Sequence, residues 1–267
     1  MKILYVCAEL FPFLKTGGLA DVSAGLPPAL QAAGCEVRLL MPSFPPVGRA
    51  VLSRQHVAVL PSDGTPWGQT PALPQVDLAL GTLPGLDMPL YLVQSLTLYE
   101  REGNPYFGPD GQDWGDNAQR FAALGWAAAS LGQGLDPDWV PDVIHCHDWH
   151  AGLAPAYVRA FADTGRNTPA TVFTIHNLAY QGLFPKESLR RIGAPELDDE
   201  ASRIAGELVW KEASERHGPL FVDVVAPPPR LILLSHDIAN REILAEALTI
   251  KSERKVEIRV PSRGTKS

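Results

Sequence analysis

Cysteine is scarce and unpatterned in this chain: Cys7, Cys35 and Cys146 are an odd trio with no Cys-x-x-Cys spacing. That excludes a disulfide framework, and thiols set in apolar segments suit reduced structural cysteines in a cytoplasm. Long apolar runs are missing too, since nothing approaches the ~20 residues needed to span a bilayer. The N-terminal run Met1 to Ala8 is cut off by Glu9 before a signal-peptide core can form, so it reads as a buried first strand and secretion is not expected. Lysine is thin over most of the length, with only Lys2 and Lys15 before Lys186. The formal charge of -7 leaves no electrostatic footprint for nucleic acid over the chain as a whole. Aromatic residues are absent after Phe221, although 21 occur before that point or at it.

What is present is the composition of a globular protein, 45% hydrophobic and 20% charged over 267 residues. That length suffices for one large or two ordinary α/β domains. Lys2 to Ala8 is a strand pattern, and Leu19, Val22, Leu26, Leu30 and Ala33 then recur at helical spacing up to Gly34, a C-terminal stop. Pro27 and Pro28 are expected to bend or interrupt that helix. Glu36 to Met41 closes a βαβ unit. Pro61 to Pro89 reads as loops with a strand or two, Asn117 to Leu131 as a helix, and Asp142 to Cys146 as a strand followed by helical Ala151 to Ala162. Ala170 to Ile175 is a further strand. Strands separated by helices imply a Rossmann-like, doubly wound parallel sheet, with ligands at the carboxyl ends of its strands.

Three motifs fall at such ends. Lys15-Thr16-Gly17-Gly18-Leu19-Ala20-Asp21 sits where the first strand gives way to the first helix. Two glycines allow close backbone approach and free amides at a helix start attract an anion, which together suit a phosphate. The spacing is neither a P-loop nor a dinucleotide fingerprint, and an ordinary turn capped by Thr16 is the competing reading. His145-Cys146-His147-Asp148-Trp149-His150 invites a zinc site, but alternate side chains of a strand point to opposite faces and the usual ligand spacing is missing. No metal is therefore expected. Asp148 with one or two histidines should face the crevice, while His150 is equally a polar turn capping the next helix. His176-Asn177-Leu178-Ala179-Tyr180-Gln181-Gly182 follows another strand, and an imidazole with an amide suits recognition of hydroxyls.

Together these blocks resemble the glycogen and starch synthase family, over about residues 1–195, with Asn104-Pro105-Tyr106 and Asp116-Asn117 in support. The resemblance implies the N-terminal half of a two-domain, B-type glycosyltransferase fold. It implies glucose transfer from ADP-glucose to the non-reducing end of an α-1,4-glucan such as glycogen, with retention, no cofactor and no metal. On the same basis Lys15, Gly17 and Gly18 meet the diphosphate, Asp148 and His176 line the glucose pocket, and Tyr106 and Asn177 touch sugar. Membrane and nucleic-acid partners are not expected of this main domain. A family second domain would supply further cations, and this chain does not reach it. A divergent linker over 196–226 leads instead to Pro227-Pro228-Pro229 and a tail carrying a net charge of +3, from eight Lys and Arg against five Asp and Glu. The tail, 227–267, resembles a piece from the middle of the C component of the ABC excinuclease, a DNA-repair protein, and reads as a strand, a helix and a strand that bury little and dock poorly on the rest. The expectation is a truncated, mosaic synthase with no appreciable activity alone. The alternatives are a non-catalytic carbohydrate- or nucleotide-binding module and a metal-dependent hydrolase built on residues 145–150.

Overall fold

A computed structural model describes residues 1–60, 73–163 and 168–177, the single positions 180, 182, 184, 188 and 192, and the backbone of 222–226, 232–235 and 257–259. Its centre is a parallel sheet. Strands β1 (Lys2–Val6), β2 (Glu36–Pro42), β6 (Val143–His147) and β7 (Ala170–Ile175) run the same way, with β1 between β2 and β6 and with β7 beside β6. Strand β5 (Leu86–Gln94) is parallel to β2. Leu4, Tyr5 and Val6 of β1 and Leu39, Leu40 and Met41 of β2 are fully buried, as expected of strands covered on both faces.

Both flanks depart from the all-parallel expectation. On one, β3 (Leu52–Val59) and β4 (Asp77–Leu83) pair antiparallel with each other and β4 pairs antiparallel with β5. The β4–β5 hairpin turns at Gly85, whose φ of +74° suits a residue without Cβ. On the other flank β8 (Val222–Ala226) pairs antiparallel with β7, followed by β9 (Ile232–Ser235) and β10 (Glu257–Arg259). The tail strands β9 and β10 continue the ten-stranded sheet through β8, which lies ahead of the triple proline, and neither pairs with a described strand of the first 195 residues. A bare β7 edge presents unpaired backbone groups, and β8 satisfies them, since an extended segment can do so without side-chain complementarity. The expected helix between β9 and β10 lies outside the described residues.

Helices α1 (Leu19–Ala32), α2 (Pro45–Ala50), α3 (Leu96–Tyr99), α4 (Asn117–Gly132) and α5 (Leu153–Asp163) complete the described elements with a 3₁₀ turn at Trp149–Ala151. Helix α1 runs through Pro27 and Pro28 without interruption. It ends as read: Gly34 has φ +87°, its amide donates to Gln31 O and the Cys35 amide to Leu30 O, a Schellman closure. Helix α4 is buried almost throughout, and Gly125 lets it lie against the start of α5, where an added Cβ would meet Ala154 N at 2.9 Å. This packing fixes the segment after β6 on the sheet.

Candidate active site

The chain leaves β1 through buried Cys7 and Ala8 and reaches Glu9, a carboxylate only 3% exposed at the carboxyl edge of the sheet. It is not left bare. Its Oε2 accepts the amides of Thr16 (2.7 Å) and Gly17 (3.0 Å), and its Oε1 accepts the hydroxyls of Thr16 (2.5 Å) and Tyr106 (2.7 Å). All four acceptor positions of the carboxylate are used. The Gly17 amide, expected to be free for an anion, is therefore turned inward. Gly18 forms the N-cap of α1, and Cβ atoms added to Gly17 or Gly18 would meet nothing within 4 Å, so a ligand can approach the turn closely. Lys15 Nζ pairs with Asp21 in the first turn of α1 at 2.7 and 2.8 Å, on the solvent side.

Strand β6 delivers His145 and His147 to one face while Cys146 is buried on the other. His147 is fully buried, stacked on Tyr5 at 4.0 Å between ring centroids, and its Nδ1 lies 2.9 Å from Nε2 of His176 at the end of β7. Burial, reinforced by the neighbouring His145 and His176, holds the His147 imidazole well below the usual histidine range and so neutral. The backbone then reverses at Asp148, a non-glycine residue at φ +56°. Its Oδ1 accepts the His176 amide at 2.7 Å, locking the ends of β6 and β7 together. Burial raises the Asp148 carboxyl, opposed by the hydrogen bond and charge at His176. His150 lies stacked 4.5 Å from Tyr106, and burial alone lowers it to about 3. Trp149 packs edge-on against Phe121 at 4.8 Å and against Gly182, where φ is +61° and a Cβ would overlap the indole.

Tyr106 comes from a loop that has no regular structure of its own, so buried hydrogen bonds must hold it. The Arg120 guanidinium, 1% exposed on α4, donates to Leu98 O, Pro105 O and Asn117 Oδ1, each at 2.7 Å. Asn117 in turn donates to Tyr106 O at 2.9 Å. Burial brings the Arg120 guanidinium down to about 10, which leaves it a cation at neutral pH. The buried thiols Cys7, pushed up to about 12, and Cys146, pushed up further, are both unreactive by burial.

Of the residues singled out in the sequence, Asp148 and His176 are in direct contact. Tyr106 stacks on His150, two positions beyond Asp148, and is tied through Glu9 to Thr16 and Gly17. Lys15 and Gly18 border this cluster, and Asn177 is exposed beside His176. Leu178, Ala179 and Gln181 lie outside the described residues. No group of three or more His, Cys, Asp or Glu side chains poised for a metal ion occurs among the described residues. Glu9 is the member that motif reading missed; Thr16 was read only as a cap, His147 only as one histidine of the 145–150 block, and Arg120 was given no anchoring role. The one signal for Glu9 was its place as the charge that ends the first apolar strand.

A family model of the starch synthase catalytic domain matches residues 2–214, and one of the UvrC ribonuclease H-like domain matches 215–267, beginning ahead of the triple proline. A glycogen synthase from Albidiferax ferrireducens is 63% identical over 226 residues, covering 84% of this chain and 46% of the relative. One from Francisella philomiragia is 45% identical over 196 residues, 73% of this chain and 39% of the relative. The chain thus spans less than half the length of these relatives. Among solved structures, the catalytic domain of starch synthase IV from Arabidopsis thaliana bound to ADP and acarbose matches with a TM-score of 0.58 at 28% identity, over 74% of this chain and 38% of that one. A match over 2–214, with the described motifs gathered at one edge of the expected sheet, identifies the chain as a member of the starch synthase catalytic domain family.

Proposed function

We propose that residues 1–195 are the donor-facing half of an ADP-glucose-dependent glucosyltransferase that extends an α-1,4-glucan, working in a cytoplasm, with 196–226 a divergent linker and 227–267 an appended remnant. The observation that carries this is that Asp148 meets His176 at the ends of two parallel strands while Tyr106 is tied through Glu9 to the Lys15–Gly18 turn, at the edge where parallel strands present ligand sites. In this reading the glucose ring sits against Asp148 and His176, with Asn177 alongside. The buried His147 holds the His176 ring in place. As the glycosidic bond breaks, positive charge grows on the sugar near the Asp148 carboxylate. Negative charge grows on the diphosphate, where Lys15 and the start of α1 meet it. Lys15 must first leave Asp21, and since the two side chains are 45% and 55% exposed that exchange is cheap, about 0–1 kcal/mol.

Coverage of less than half the relatives' length supports a second, narrower reading: the chain alone binds nucleotide or glucan without turnover. One cation cannot replace a set of them, and removing even one preorganised donor costs about 10² to 10³ in rate. A site walled from one side only leaves water in place and the acceptor hydroxyl unpositioned. The test follows ADP release and glucan growth from ADP-glucose and glycogen, alongside calorimetric binding of ADP. Weak ADP binding without appreciable transfer is expected. Binding of neither ADP nor glucan would overturn the donor-half assignment, and turnover at the level of an intact synthase would overturn the inactivity.

A further inference from the structure

We infer that Glu9 is a positioning residue that couples the donor-side turn to Tyr106, so that the two sides of the site are set by one carboxylate. The inference rests on the assignment of this edge as the ligand site and adds a residue to it. Glu9 divides its acceptors by side: Oε2 holds the backbone of the turn through Thr16 N and Gly17 N, while Oε1 holds Tyr106 through its hydroxyl. The Thr16 hydroxyl bonds to that same Oε1, so Thr16 grips the carboxylate by backbone and side chain at once. Two successive amides turned toward one anionic oxygen form the concavity that would otherwise take a phosphate oxygen. With Glu9 filling it, the turn is preshaped before any ligand arrives, and the side facing out is left with Gly18 and Lys15.

Such an arrangement behaves differently from a plain structural hydrogen bond. Thr16 and Gly17 are exposed residues, yet their amides are tied to a carboxylate that is buried. Their protection from solvent exchange therefore reports on Glu9 and on nothing in a helix or strand. Tyr106 is far from them in the chain and touches the turn through Glu9 and the Thr16 side chain, so removing its hydroxyl should be felt at the two amides. The loss leaves one oxygen of a buried carboxylate short of a donor, and Glu9 can then shift toward water.

The experiment is amide hydrogen exchange, resolved by residue, on the full chain with Tyr106→Phe and with Glu9→Gln. Tyr106→Phe should speed exchange at Thr16 and Gly17 about tenfold, the scale of one charge-assisted hydrogen bond, with amides of β2 and α4 unchanged. Glu9→Gln keeps the size of the side chain and offers only one oxygen, so it should speed exchange at the same two amides. ADP affinity is the second readout: Tyr106→Phe, a change on the sugar side, should weaken ADP binding severalfold. Exchange at Thr16 and Gly17 that moves less than twofold in Tyr106→Phe would overturn the coupling, whatever happens to ADP. If the unaltered chain binds no ADP, the donor-site assignment fails while the exchange result still decides the coupling.

Discussion

The two halves of the sheet's edge are built on opposite terms. Around β1, β6 and β7 polar groups are buried: Glu9, His147, Asp148 and His150 are each at most 7% exposed, and Asp148 takes a backbone conformation that suits glycine. Around β3 and β4 the charged groups are outside. Arg49 pairs with Glu102, both mostly exposed, mostly exposed His56 lies by the partly exposed Asp77, and the outer strand β3 shows solvent nearly all along its length. The first half therefore holds desolvated groups that cost stability unless each is bonded, and the second holds groups that cost nothing to leave. This is the expected signature of a site against a scaffold edge, and it gives an ordered set of consequences.

The largest belongs to Asp148. Replacing it by alanine strands the His176 amide without its acceptor, a cost of about 1–3 kcal/mol. Glycine loses the same bond but relaxes the φ of +56°, where strain costs about 1–3 kcal/mol in a residue with a Cβ. Urea denaturation should therefore rank Asp148→Gly above Asp148→Ala in stability, the reverse of the usual order. If alanine proves the milder change, the site half stores no such strain and the contrast between the halves is weaker than stated.

A smaller effect comes from His150. Burial lowers its folded-state pKa to about 3, against about 6.5 in an unfolded chain. The unfolded chain thus binds the proton first as pH falls. The stability this group contributes is complete above about pH 6.5 and is lost progressively toward pH 3, about 1.4 kcal/mol of it by pH 5.5. Asp148, raised by burial, works with the opposite sign, so the difference between variants isolates the histidine. His150→Gln should flatten the stability profile between pH 8 and 5.5 by that amount. A parallel profile in wild type and variant would mean that the imidazole is already charged or wet.

How much of this was legible in the sequence depended on the range of the interaction. The central strands and α1, α4 and α5 followed from local periodicity, and Gly34 stopped α1 because a Schellman closure is itself local. The meeting of Asp148 with His176 was legible because parallel strands bring their carboxyl ends to one edge whatever the sequence between them. Glu9 was not, since its partners stand seven, eight and 97 positions away and no spacing rule links them. The antiparallel flank was blurred because Pro and Gly, read as loop formers, here sit in a hairpin: Gly85 at its turn and Pro89 within β5, paired opposite Thr82. The continuity of α1 through two prolines was missed for a related reason, the penalty of a lost backbone bond being outweighed by a buried face that includes Pro27.

The smallest expected effect on stability is also the one that tests the comparison hardest. Lys15 lies in the site half, but it is dressed like the other half: its pair with Asp21 at 2.7 Å is 45% and 55% exposed, against 2.9 Å and 64% and 78% for Arg49 with Glu102. Exposed pairs of this kind contribute about 0–1 kcal/mol and are screened by salt. Lys15→Ala and Arg49→Ala should both move the urea midpoint by no more than about 0.5 kcal/mol in equivalent stability, and by less at high salt. By stability alone the two residues are indistinguishable. Ligand affinity should part them, because only Lys15 stands at the start of α1, where an anion is attracted by the helix end and met by a mobile ammonium. ADP binding measured by calorimetry should fall by about tenfold or more in Lys15→Ala, the scale of one charge-assisted bond to phosphate, and stay unchanged in Arg49→Ala. Equal affinities in the two variants would mean that Lys15 belongs with the scaffold charges, and the phosphate side of the site would have to be sought elsewhere on this edge.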